Sequence, residues 1–227
     1  MLFRSWVLAE GSDTSGMTRS IPIEKILDDC LIAWAMNGEA LRPEQGYPAR
    51  LVVPGWEGNM WVKWIRRLEF GDKPYMTREE TSKYTDLLRD GKARMFTWVM
   101  EAKSVVTSPS PEKPILHKGI QQLRGLAWSG KGKIKRVDVS LDGGKNWRTA
   151  QLHAPIMSKS LVRFTLPFEW SGEELLIQSR AIDETGYVQP YIQELQKIRG
   201  KNSIYHNNSI ATWLVSKSGR VDNVRLG

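Results

Sequence analysis

The run Val137-Asp138-Val139-Ser140-Leu141-Asp142-Gly143-Gly144-Lys145-Asn146-Trp147 decides how the second half of the chain folds. Val137, Val139 and Leu141 alternate with Asp138 and Ser140, the period of a strand with one buried face. Asp142-Gly143-Gly144 follows, a tight turn whose glycines reach positive φ without steric cost. Residues 161–166 alternate in the same way, and residues 175–182 supply another apolar strand. Short strands closed by glycine turns predict an antiparallel β-sandwich of immunoglobulin type. Trp128 and Trp147 are read as core residues of that sandwich.

Upstream the pattern changes. Pro22 stands near a helix start, with Ile23, Ile26 and Leu27 spaced to share one helical face. Leu51-Val52-Val53 is a short apolar run stopped by Pro54-Gly55, which predicts a buried strand ending at a turn. Residues 62–70 partly alternate and predict a strand with one charged end. Three prolines within Thr107-Ser108-Pro109-Ser110-Pro111-Glu112-Lys113-Pro114 oppose regular structure and separate the halves. A first sandwich strand within residues 94–104 moves the division earlier. The expected domains are therefore residues 1–96, with mixed α and β elements, and residues 97–227, all β.

Bulk composition narrows the function. The 227 residues are 41% hydrophobic and include ten tryptophans, ample for a packed core. No apolar run approaches the roughly 18–20 residues of a membrane span. Arg4 breaks the apolar start, so no secretory signal is read and a cytoplasmic location follows if the chain is taken literally. The single cysteine, Cys30, excludes an intrachain disulfide. Asp28 and Asp29 beside it oppose a reactive thiolate, so a buried structural thiol is expected. His117, His153 and His206 lie far apart, without acids at ligand spacing, and are expected to be exposed. A net charge of +8 favours an anionic partner. The only tight basic cluster, Lys131, Lys133, Lys135 and Arg136, lies at a glycine-spaced turn. It predicts a solvated hairpin rather than a nucleic-acid stripe.

One segment of the first half has chemistry suited to such an anion: Gln45-Gly46-Tyr47-Pro48-Ala49-Arg50-Leu51-Val52-Val53-Pro54-Gly55-Trp56-Glu57-Gly58-Asn59-Met60-Trp61-Val62-Lys63-Trp64. Two cations, Arg50 and Lys63, flank a glycine-containing loop whose backbone amides can join them around a phosphate. On composition alone it also reads as a buried strand with two solvated charges.

This segment resembles the cofactor-binding stretch of the sulfite oxidase family, the molybdopterin-dependent oxidoreductases. Residues 125–147, with a Trp-Ser-Gly turn and a strand ending in Ser-Leu-Asp-Gly-Gly, are similar to that family's dimerisation domain. Ala9-Glu10-Gly11-Ser12-Asp13 and residues 76–84 look closest to its sulfane dehydrogenase branch. The resemblance implies a fold class: a partial α+β molybdopterin-binding domain, then an immunoglobulin-like sandwich that pairs two subunits as a homodimer. It also implies oxidation of an inorganic sulfur oxyanion or sulfane by oxo transfer at molybdenum. Electrons would pass to a c-type cytochrome on another chain, since no Cys-x-x-Cys-His is present. A complete family member of this branch would be periplasmic.

The resemblance also carries residue roles. Arg50 and Lys63 match the pterin-phosphate clamp, with Gln45 in place of a histidine and Trp61 and Val62 completing the later tripeptide. Glu10 or Asp13 falls where the family has an acid on the pterin ring. Tyr84 matches the active-site tyrosine, and Arg199, in Leu195-Gln196-Lys197-Ile198-Arg199-Gly200, matches the arginine of the oxyanion pocket. No metal ligand is assigned: the family's cysteine lies upstream of the matched segments, and Cys30 is in the wrong context. The expectation is the C-terminal part of such an enzyme, inactive alone and doubtful in binding molybdenum–molybdopterin by itself. A non-catalytic sandwich module for dimerisation or binding is the alternative.

Overall fold

The computed structural model describes residues 5–203 and 205–226, and strand far outweighs helix in it. Two units separate: the described residues up to Val99 together with Arg199–His206, and Met100–Ile198 resuming at Asn207.

In the first unit, β1 (Trp6–Gly11) is the centre of an antiparallel sheet, between β2 (Thr18–Pro22) and a later strand. Val7, Leu8 and Ala9 are all buried, as a strand covered on both faces requires. Pro22 fixes the entry into helix α1 (Ile23–Asp29). Only seven residues long, α1 has no fully buried residue. Ile26 and Cys30 pack partly against the core, whereas Leu27 is 77% exposed and leaves the predicted face. Cys30 is thus half-buried rather than fully enclosed.

Strand β3 (Leu31–Ala33) leads to a hairpin of β4 (Ala35–Met36) and β5 (Glu39–Ala40). β6 (Arg50–Val52) then returns to pair with β3. The outer strand of the three-stranded sheet is β7 (Ile65–Gly71), shorter than the 62–70 pattern suggested. Trp64 has φ of 50°, which takes the chain out of strand geometry before Ile65. A π-helical turn (Glu79–Lys83) and the pair β8 (Asp86–Leu87) and β9 (Ala93–Arg94) follow. Ala9, Ile21, Leu51, Val53, Trp56, Met60 and Val62 form the core. Trp56 and Trp98 stack on its rim, centroids 4.7 Å apart.

The second unit has two sheets. One runs β10 (Lys103–Ser108), β11 (Gly119–Trp128), β15 (Val162–Trp170), β14 (Gln151–His153). The other runs β13 (Arg148–Thr149), β12 (Ile134–Ser140), β16 (Leu175–Asp183), β17 (Thr212–Val215), β18 (Val221–Val224). Along β15 the alternation read from sequence is realised: Val162, Phe164, Leu166, Phe168 and Trp170 are buried. They share one hydrophobic cluster with Val137, Val139, Ile177 and Ala181 of the other sheet. Fully burying each of the Val, Ile, Leu and Phe side chains stabilises the unit by about 1.5–3 kcal/mol. A register irregularity between Ile134 and Arg136 keeps Ile134 on the buried side with Val137.

The Asp142-Gly143-Gly144 turn forms as read, with φ of 76° and 92° at its glycines. Trp128 and Trp147 are not core residues. Both are half-buried, and Trp147 donates its Nε1 hydrogen to the Gly144 carbonyl, with the Arg180 guanidinium above its ring. Trp170 fills the core instead. In the basic cluster, Lys131 lies 3.7 Å from Glu101 and Arg136 3.0 Å from Asp138. Helix α2 (Ile192–Arg199) ends on the residue at which the chain rejoins the first unit.

Candidate functional site

Within the first unit, the fold brings the two predicted cation segments together. Leu51 N–H donates to the Val62 carbonyl and Ile65 N–H to the Ala49 carbonyl, so residues 49–51 run against 62–65. Arg50 fastens the same junction from within. Its Nη1 donates to the Gln45 carbonyl at 3.0 Å and its Nη2 to the Trp61 carbonyl at 3.1 Å. Its Nε is buried without a hydrogen-bond partner. Burial lowers the Arg50 pKa from its usual value. An arginine remains charged even so, because its pKa starts above 12.

Lys63 occupies the other side of this junction. Its Nζ donates to the Glu44 carbonyl at 3.0 Å and sits 4.3 Å from the centre of the Trp64 ring. Gly46 makes room for it. A Cβ on Gly46 would stand 2.9 Å from the Lys63 Cβ, and the φ of 108° there is one that side-chain-bearing residues rarely adopt. Gln45 ends a short 3-10 turn, its side-chain oxygen accepting from the Arg42 N–H. Gln45, Arg50, Trp61, Val62 and Lys63 therefore form one cradle, with two cations held among backbone groups.

The two candidate acids differ in their engagements. Glu10 is buried, and its carboxylate accepts from Arg66 Nε at 2.8 Å and Arg67 Nε at 2.7 Å. The hydrogen bond from Arg66 is the main cause of its lowered pKa, with Arg67 adding to it. Asp13 lies on the loop after β1, where it accepts from the Ser15 hydroxyl and the Met17 N–H. The Ser15 bond chiefly lowers its pKa, and the charge of Lys63 acts in the same direction. Asp13 is thus the acid that senses the cradle's lysine, while Glu10 is neutralised by two arginines.

Tyr84 and Arg199 each have their own surroundings in the first unit. Tyr84 follows the π-turn, its N–H donating to the Glu79 carbonyl. Its half-buried ring meets the Tyr205 ring at 4.7 Å and the Arg19 guanidinium at 4.6 Å. Burial is the largest cause raising the phenol's pKa. Arg199 is buried, and its Nη1 donates to Asp86 Oδ2 at 3.2 Å. Beside it, Leu87, Leu88, Arg89, Gly200, Lys201 and Asn202 line a cavity of about 420 Å³.

Sequence reasoning missed the partners that hold these groups: Asp86 under Arg199, Arg19 and Glu80 behind Tyr84, and Arg66 and Arg67 on Glu10. It also misplaced His206, which is 5% exposed and has its Nδ1 2.6 Å from Glu57 Oε1. Linear spacing holds no signal for a pair 149 residues apart. Among the described residues, no group of three or more His, Cys, Asp or Glu gathers as a metal site. Nor is any helix there long and apolar enough to cross a membrane.

Residues 3–79 match the family model for an oxidoreductase molybdopterin binding domain. Residues 94–213 match that for a Mo-co oxidoreductase dimerisation domain. The chain is 35% identical to the sulfite oxidase of Gallus gallus over 188 residues, spanning 75% of this chain and 40% of that protein. It is 32% identical to a Solanum lycopersicum nitrate reductase [NADH] over 226 residues, 81% of this chain and 24% of that one. The crystal structure of the sulfane dehydrogenase SoxCD from Paracoccus pantotrophus superposes with a TM-score of 0.95 at 61% identity. That match covers 98% of this chain and 58% of the SoxCD chain. The chain thus spans less than two thirds of the length of each of these relatives.

Proposed function

Because this chain belongs to the sulfite oxidase family of molybdopterin-dependent oxidoreductases, in its sulfane dehydrogenase branch, we propose that it is the C-terminal portion of a sulfite or sulfane dehydrogenase. Residues 1–96 form the C-terminal part of its molybdopterin-binding domain, and residues 97–227 an immunoglobulin-like domain that pairs two copies. The complete enzyme oxidises an inorganic sulfur oxyanion or sulfane and passes the electrons to a c-type cytochrome, in the periplasm.

The observation that carries this reading is the cradle. Arg50 and Lys63 lie across a junction where Gly46 excludes a side chain, and an Arg50 Nε–H is buried without an acceptor. Two fixed cations with spare donors suit a phosphate dianion. The residues present fit the phosphate end of molybdopterin. Cys30, the single cysteine, packs beside α1 against the core and does not fit as a ligand of the metal.

Molybdenum–molybdopterin, when bound, supplies the two-electron redox and oxo-transfer chemistry. The roles of this chain are binding and orientation. Arg50 and Lys63 neutralise the phosphate, backbone groups at Gln45, Trp61 and Val62 border it, and Asp13 or Glu10 meets the pterin ring. Tyr84 and Arg199 serve the substrate: the arginine orients an oxyanion and the phenol donates a hydrogen bond. Alone, without a cysteine suited to the metal, the chain does not turn over.

Two oxidised pterins that differ only in the phosphate test this reading, by fluorescence titration of the purified chain. The phosphorylated pterin should bind at least about tenfold more tightly, the effect of roughly one charge-assisted hydrogen bond. Arg50→Gln/Lys63→Gln should abolish the difference. Equal binding of both pterins by the unaltered chain defeats the assignment.

A further inference from the structure

Behind Tyr84 lies a cation for which the roles above have no use. Arg19 projects from β2 on the same side as Ile21, into the first unit's core, and has no exposed surface. Its Nε donates to the Met60 sulfur at 2.9 Å. Nη2 is 3.2 Å from Glu80 Oε1, yet neither Nη nitrogen has a hydrogen bond of good geometry. Glu80, also fully buried, accepts from the Ser20 N–H with the same oxygen, and its other oxygen has no partner.

Such a pair is expensive. Removing two charges from water costs several kcal/mol each, and imperfect hydrogen bonding leaves much of that uncompensated. Methionine and leucine would fill the same space without the penalty. A core that only needed packing has no reason to hold Arg19. Its guanidinium does have one further contact, 4.6 Å from the centre of the Tyr84 ring.

We propose that Arg19 is a positioning residue for Tyr84: anchored by Glu80, it fixes the face of the ring and holds positive potential against the phenol. For its link to catalysis this rests on the reading of Tyr84 as a substrate-side residue. The groups facing Tyr84 divide by sign. Burial raises the phenol's pKa, as do Tyr205, Glu57 and Glu79, whereas Arg19 lowers it. Glu57 is engaged by His206 and Asn59, and Glu79 by Arg78. Arg19 therefore opposes every other influence on the phenol and keeps its proton more readily given up.

Nitration by tetranitromethane reads this directly, because it attacks the phenolate. The chain is treated at pH 8 and each tyrosine is followed by peptide mass spectrometry, with exposed Tyr47 as internal reference. A neighbouring cation moves a titration by about one pH unit or more. Arg19→Met should therefore slow nitration of Tyr84 about tenfold relative to Tyr47. Arg19→Lys should slow it less. Arg19→Met leaves Glu80 buried without its cation, so Arg19→Met/Glu80→Leu serves as the variant that folds, both charges being replaced by apolar groups. It should show slowing in the same direction. An unchanged or faster rate at Tyr84 in both the single and the double variant overturns the proposal. If nitration slows while Tyr84→Phe leaves turnover of a complete enzyme unaltered, Arg19 positions Tyr84 as proposed, and the substrate role of Tyr84 is what fails.

Discussion

His206 Nδ1 lies 2.6 Å from Glu57 Oε1, and both side chains are buried in the first unit. Glu57 also accepts from Asn59 Nδ2, and its N–H donates to the Trp98 carbonyl. The pair thus ties the segment that follows Arg199 to the loop between the cradle's two cation segments. Removing His206 leaves the Glu57 Oε1 that faced it desolvated, with Asn59 still on the other oxygen. His206→Ala should lower the stability of this unit by about 2–4 kcal/mol, measured as the shift in its denaturant midpoint. A midpoint equal to wild type would mean the pair contributes nothing net.

Gly46 is where the cradle meets a steric limit. An alanine in its place would need a strained φ and would bring its Cβ against Lys63. The strain and the displacement together should cost Gly46→Ala about 1–3 kcal/mol. The atoms it would meet, Lys63 Cβ and Cα, move only with the backbone that carries Lys63, so the binding preference for a phosphorylated pterin should fall along with stability. A variant as stable as wild type with its phosphate preference intact would show that this glycine has no part in the site.

The Asp142 turn predicts an acid-sensitive element in the second unit. Its carboxylate accepts from the N–H groups of Lys145 and Asn146, the Asn146 side chain and the Ser140 hydroxyl. These hydrogen bonds, that of the Asn146 N–H first, hold its pKa far below the usual 3.8. A depressed folded-state pKa gives stability that is fully present above the unfolded value and lost as pH falls toward the folded one. Wild type should melt above Asp142→Asn by a constant margin from pH 5 upward. Below about pH 4 the margin should narrow. Thermal scans across pH 2–7 check this, and a margin that holds to pH 2 would rule out the carboxylate as its source.

How far the sequence could be read follows from how local each signal is. Strand β15 was visible because one residue in two is apolar from Val162 to Trp170, and the turn after β12 because its glycines require positive φ. Arg50 and Lys63 could be set around one anion from the glycine-containing loop between them, but the intervening residues conceal the backbone hydrogen bonds that fold their segments together. Trp128 and Trp147 were misread because a tryptophan's size suits a half-buried rim as well as a core. Helix α1 misled for a related reason: two turns carry too little periodicity to say whether Leu27 faces inward. Arg19, Glu80, Asp86 and His206 left no trace. A buried charge is compensated by a partner distant in sequence, so its spacing along the chain is silent.

Self-association should be measurable on the chain as it stands. The match of residues 94–213 to a dimerisation domain supports a homodimer, and ordinary affinities place its dissociation constant in the micromolar range or below. Sedimentation velocity at tens of micromolar (roughly, on that scale) should show a species of about twice the 25.9 kDa chain mass. A strict monomer there would leave the pairing of two sandwiches without support.

Arg199 gives the sharpest test of the substrate site. Its guanidinium is buried with Nη1 on Asp86 Oδ2, which fixes the plane of the fork; on the proposed reading that fork orients the oxyanion. Lysine keeps the charge but loses the plane and the paired donors. In the complete, metal-loaded enzyme, Arg199→Lys should raise KM for the sulfur substrate about tenfold, the loss of roughly one charge-assisted hydrogen bond. With binding weakened equally in ground and transition states, kcat should change much less. Asp86→Asn separates orientation from charge: it retains an oxygen for the arginine to bond but removes the carboxylate, and should raise KM by a smaller factor. If steady-state kinetics instead give an unchanged KM for Arg199→Lys, then Arg199 is a structural partner of Asp86 and the oxyanion is held elsewhere.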